Sequence, residues 1–138
     1  MTTTLGRSIG DPEPVSFRSP NTTPLVAIID DDEDVRTSLH DLLRSCGYSA
    51  ELFETADSFL ESASAARIDC VVSDVQMPGT SGLQLARIMQ SRMIPIILIT
   101  AFPTAEIAQQ AAAAGVRRLL VKPFDTVGLI AELAGLLG

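Results

Sequence analysis

The sequence predicts a doubly wound α/β domain with five parallel strands. Three observations carry that prediction. Short apolar runs alternate with helical patterns five times. The runs lack the apolar–polar alternation of a half-exposed sheet, as strands covered on both faces should. Glycines and helix-capping residues separate the units at short intervals. Right-handed crossovers then give a flavodoxin-like sheet of strand order 2-1-3-4-5 in a single domain.

Residues 1 to 23 are rich in Thr, Ser, Pro and Gly without hydrophobic period, so a flexible tail is expected there, with the domain at 24–138. Leu25–Ile29 reads as the first strand. Over Asp34–Cys46 the residues Val35, Leu39, Leu42, Leu43 and Cys46 fall on one helical face, and Gly47 stops the helix. Tyr48–Phe53 is the second strand and Thr55–Ser64 the second helix. Asp69–Ser73 is the third strand, broken by Pro78 and Gly79. Ser81 and Gln84 have the spacing of a capping box, opening a helix that runs to about Gln90. Ile94–Ile99 is the fourth strand, and Thr104 caps an Ala-rich helix ending at Gly115. Arg117–Val121 is the fifth strand, and Asp125 caps the last helix.

Composition narrows the function. The 138 residues are 46% hydrophobic, enough for a core without disulfides or structural metal. A net charge of −7 argues against direct nucleic-acid binding and against an anionic membrane. Cys46 and Cys70 stand in no metal-ligand spacing and are expected as free thiols. No signal-peptide pattern and no apolar run long enough for a bilayer is present, which points to a cytoplasmic protein.

In a doubly wound sheet, ligands bind beyond the carboxyl ends of the strands, near the switch point between strands 1 and 3. Strand 1 ends in Asp30-Asp31-Asp32, strand 3 in Ser73-Asp74, strand 4 in Thr100-Ala101 and strand 5 in Lys122-Pro123. Two like charges about 4 Å apart repel by roughly 4 kcal/mol at an effective dielectric near 20. A divalent cation among Asp30, Asp31 and Asp74 relieves that, and an all-oxygen set suits Mg²⁺. With Lys122 and Thr100 this is a parts list for phosphoryl transfer to a carboxylate. Asp32, Glu33 and Asp34 read more simply as helix caps or solvated charge.

Two rival motifs fail. Asp30, Asp32 and Asp34 match the first ligands of a Ca²⁺ loop, but Val35 stands where that loop needs Gly and Asp41 where it prefers Glu. The Asp-x-Asp of haloacid-dehalogenase-type phosphatases fits Asp30 and Asp32 but not Asp34, and leaves the Asp74 segment without a role.

The segments IIDDDEDVRTSL, VVSDVQMPGTSGLQL, LITA and VKPF resemble the hallmark stretches of bacterial response-regulator receivers, most of all those that precede helix-turn-helix DNA-binding domains. The resemblance covers residues 25 to 138. It implies a phosphoacceptor switch of a two-component phosphorelay, not a conventional enzyme. Asp74 would accept the phosphoryl group from a phosphohistidine on a sensor kinase or phosphotransfer protein. Mg²⁺ (or Mn²⁺) would be held by Asp31 directly, Asp30 through water, Asp74, and the backbone carbonyl of Gln76. Thr100 and Lys122 would follow the phosphoryl oxygens, and the Lys122–Pro123 bond would be cis. The surface of helix 4, strand 5 and helix 5 would then engage a protein partner or a second copy.

One departure stands out. Many receivers carry an aromatic residue three positions before the strand-5 Lys, where this chain has Leu119. Phe102, two residues after Thr100, is a candidate substitute in the coupling and could slow hydrolysis of the aspartyl phosphate. A phosphorylation-independent docking domain of the same fold is the alternative, and a phosphatase using Asp30 as nucleophile a third reading. The chain ends at Gly138 after the fifth helix, so a stand-alone receiver and a piece of a longer regulator both remain open.

Overall fold

The computed structural model describes residues 23–137. The tail expected over 1–23 therefore lies, but for Thr23, outside the described residues. The elements are β1 (Leu25–Ile29), α1 (Glu33–Ser45), β2 (Ser49–Phe53), α2 (Ala56–Leu60), β3 (Cys70–Asp74), α3 (Gly82–Ser91), β4 (Ile96–Thr100), α4 (Ala105–Ala113), β5 (Arg118–Val121) and α5 (Thr126–Leu137). All five strands are parallel, in the order β2-β1-β3-β4-β5.

Side chains alternate across the strands, so each strand feeds two cores. Val26 and Ile28 of β1 join Val72, Ile97 and Ile99 on one face, covered by Leu39 and Leu43 of α1 and Leu129 and Leu133 of α5. Ala27 and Ile29 join Val71 and Leu98 on the other, covered by Phe59 of α2, Leu85 and Met89 of α3 and Ala111 of α4. β3 and β4 are buried along their whole length, which explains their unbroken apolar sequences.

Helix starts follow the expected chemistry. Asp32 accepts from the Asp34 and Val35 N–H groups, Thr104 from Ile107, and Asp125 from Val127. Ser81 and Gln84 form the reciprocal capping box. Gly47 and Gly115 leave their helices at φ of +93° and +75°.

Three details differ from expectation. The second helix stops at Leu60, and a 3-10 turn follows over Ala63–Ala66. Ser62 turns both its hydroxyl (2.8 Å) and its N–H (3.0 Å) onto the Phe59 carbonyl, diverting the backbone from a regular helix. β2, β3 and β5 start one residue later than their apolar patterns and β4 two, and β3 and β4 each end one residue later, at Asp74 and Thr100. Cys46 is exposed at the end of α1 instead of joining its apolar face.

Candidate phosphoacceptor site

Four strands deliver their last residues, or the next ones, to one rim. Asp30 and Asp31 follow β1, Asp74 ends β3, Thr100 ends β4 and Lys122 follows β5. Asp30, Asp31 and Asp74 each place a carboxylate oxygen within 4.8 Å of the others. Asp30 is 1% exposed and Asp74 7%, while Asp31 faces solvent. Lys122 Nζ lies 3.0 Å from Asp30 Oδ2 and 3.4 Å from Asp74 Oδ2, bridging two buried carboxylates.

One cation for three acids leaves the pocket electron-rich. Burial pushes the Asp74 carboxyl above its usual range, and the Asp30 charge pushes it further. Lys122 and the Gln76 N–H, which donates to Asp74 Oδ1 at 3.3 Å, pull partly the other way. For Lys122 burial opposes the charge, but the hydrogen bond to Asp30 and the two carboxylates prevail, and its pKa is raised. A hard divalent cation fits such a donor set: three carboxylates converge from β1 and β3, and one of them opens to water.

Thr100 is fully buried. Its hydroxyl donates to Gln76 Oε1 at 3.2 Å and accepts from the Phe102 N–H at 3.1 Å. The Gln76 side chain thus holds the Thr100 hydroxyl, a role the sequence reading did not give it. Phe102 is 71% exposed and meets Thr100 through its backbone N–H. Leu119 is half-buried against the core under α3 and α4. The Lys122–Pro123 peptide bond is cis. Arg36 was also missed: its Nη1 donates to the Asp30 backbone carbonyl at 2.7 Å.

Comparison with known proteins agrees with this geometry. Residues 26–134 match the family model of the response regulator receiver domain. The chain belongs to that family. This receiver is 37% identical over 110 residues to the transcriptional regulatory protein FixJ of Bradyrhizobium diazoefficiens, covering 78% of this chain and 54% of the relative. Among solved structures it resembles the response regulator StyR, with a TM-score of 0.75, 36% identity and coverage of 84% and 60%. The beryllofluoride-activated DrrB receiver domain aligns with a TM-score of 0.74 and 28% identity over 84% of this chain and 98% of that one. The receiver spans about half the length of the curated relatives it matches. As a receiver it is a signalling phosphoacceptor of a two-component system, which implies a kinase partner, and not a turnover enzyme. No helix among the described residues is long and apolar enough to cross a membrane.

Proposed function

We propose that Asp74 is the phosphoacceptor and that Asp30, Asp31, Asp74 and the Gln76 backbone carbonyl hold Mg²⁺ (or Mn²⁺). The observation that carries this is the meeting of three carboxylates with Lys122 at the ends of three strands, β1, β3 and β5. When bound, the ion supplies the charge that neutralises the pocket and the phosphoryl oxygens. Asp74 attacks phosphorus with one carboxylate oxygen. The P–N bond of the donor phosphohistidine breaks, and the imidazole leaves with the electron pair. Lys122, already between Asp30 and Asp74, turns to a phosphoryl oxygen. Thr100 exchanges Gln76 for another.

Phosphorylation adds about −1.5 to −2 charges and three strong acceptors. Thr100 ends β4, so its reorientation biases the surface of α4, β5 and α5 between two populations. That surface exposes Val121 and Val127, as a docking face requires. A sensor histidine kinase or phosphotransfer protein is the donor, and a protein partner or a second copy receives the output. With Leu119 in the aromatic position, Phe102 takes part in the coupling, and its exposed ring restricts water at the site entrance.

Intact mass after incubation with Mg²⁺ and acetyl phosphate or phosphoramidate tests the reading. One added phosphoryl group is expected on the wild type, and none on Asp74→Asn or after chelation. No adduct, and no binding of beryllofluoride, would instead favour docking independent of phosphorylation. Phe102→Ala is expected to shorten the lifetime of the adduct. An unchanged decay would remove Phe102 from the account.

A further inference from the structure

Arg36 occupies the fourth position of α1, behind Asp32, Glu33 and Asp34. The N-terminus of a helix favours anions and disfavours a cation, so helix stability does not explain an arginine there. Nor does its surface ion pair. The side chain is only 12% exposed, while its carboxylate neighbour Glu54 lies 3.8 Å away and is 76% exposed. Such a pair contributes little to stability. The short contact points elsewhere: Nη1 donates to the Asp30 carbonyl at 2.7 Å.

That bond closes a ring of contacts around the β1–α1 corner. Asp30 Oδ1 accepts from the Asp32 N–H at 2.9 Å. The Asp32 carboxylate caps α1, and the Asp32 carbonyl accepts from the Arg36 N–H at 3.1 Å. Arg36 then reaches back to the carbonyl of Asp30, where the ring began. Asp31, the exposed member of the acidic trio, lies inside it.

We propose that Arg36 is a positioning residue for the acidic corner, locking the Asp30 carbonyl so that Asp30 and Asp31 present their carboxylates to one cation. The inference rests on the Mg²⁺ reading above. It assigns Arg36 a geometric role, because by charge alone a cation beside the pocket would repel a divalent ion. Only a guanidinium fork reaches the carbonyl and Glu54 together; an ammonium does not reproduce it.

The test compares the full chain with Arg36→Lys and Arg36→Gln, measuring Mg²⁺ affinity by calorimetry and the rise in melting temperature that Mg²⁺ produces. Groups that orient metal ligands typically cost 10–100-fold in metal affinity when lost, so both variants are expected to bind Mg²⁺ about tenfold more weakly. Both should show a smaller Mg²⁺-induced shift. Phosphorylation should recover largely at saturating Mg²⁺. If Arg36→Lys matches the wild type while Arg36→Gln binds Mg²⁺ more tightly, charge alone matters and the proposal falls. Lower melting temperatures with unchanged Mg²⁺ affinity would make Arg36 merely structural, which also overturns it. A wild type that neither binds Mg²⁺ nor forms the phosphoryl adduct sinks the parent reading and this inference with it.

Discussion

At the amino end of the sheet, Asp69 accepts a 2.8 Å hydrogen bond from the Leu25 N–H. At the carboxyl end, Asp30 and Asp74 are buried and share one ammonium. The same residue type is therefore used in opposite ways on one scaffold. At the first end a carboxylate meets a donor that the fold already needed to satisfy. At the second, carboxylates are gathered against their own repulsion around a single ammonium, in a trio that could hold a metal ion.

The largest expected effect comes from the backbone beneath the second group. A Cβ at Gly82 would press on the carbonyl oxygen of Asp74 and lie 2.9 Å from Val75 Cα, and neither can yield as a flexible side chain would. The Gly82 N–H also donates to the Val75 carbonyl at 2.9 Å, which seats α3 on the end of β3. Gly82→Ala is expected to cost about 3 kcal/mol, as overpacking does. Urea denaturation measures it. A loss below roughly 0.5 kcal/mol, the range of ordinary surface substitutions, would show that α3 shifts freely against the site.

The contrast between the two ends sharpens when each loses a charge. Asp69→Ala is expected to destabilise by about 1.5 kcal/mol, because a backbone donor loses a charged acceptor. Asp74→Asn is expected to stabilise the metal-free protein by about 1 kcal/mol, in the manner of functional sites that trade stability for activity. Thermal melts in a chelator decide between opposite signs and a common one. A common destabilisation would mean that Lys122 already offsets the repulsion in full.

The pH dependence has a definite direction for Asp74. Its folded pKa lies above the usual 3.8, so on raising the pH the unfolded chain ionises first. Between that value and the folded pKa the folded state binds more protons, and stability falls as pH rises. The advantage of Asp74→Asn should therefore vanish below about pH 3.8 and grow above it. Asp57 runs the other way. Its carboxylate accepts from the Thr80 hydroxyl at 2.6 Å and is held below its usual value, so its contribution is present at neutral pH and is lost as pH falls through the folded pKa. Melts of the wild type, Asp74→Asn and Asp57→Asn across the acidic range separate the two.

The same difference explains what the sequence made legible. The five strands, their burial on both faces and the acid trio follow from apolar period and from which residues end each strand. These are local patterns. The break after Leu60 is less visible, because Ser62 competes for a carbonyl within a pattern that still looks helical. The bond of Gln76 to Thr100 spans 24 residues and belongs to no periodicity. Arg36 did leave a local signal, a cation in the first turn of a helix whose start is otherwise acidic. Read against the helix dipole, it points back toward Asp30.

The smallest effect concerns strain far from the chemistry. Met93, in the turn between α3 and β4, has φ of +60° and is 90% exposed. Its N–H donates to the Gln90 carbonyl at 3.1 Å, a bond that a glycine would keep. A non-glycine residue in the left-handed region costs roughly 1–2 kcal/mol, which glycine removes. Glycine also gives the unfolded chain more freedom, offsetting about 0.5–1 kcal/mol. Met93→Gly should therefore stabilise by about 0.5 kcal/mol, read as a small rise in the urea midpoint at unchanged slope. Its phosphorylation rate should match that of the wild type, since α3 reaches the site from its other end. A changed rate would mean that the turn transmits through α3 to Gly82, joining the two ends of the sheet.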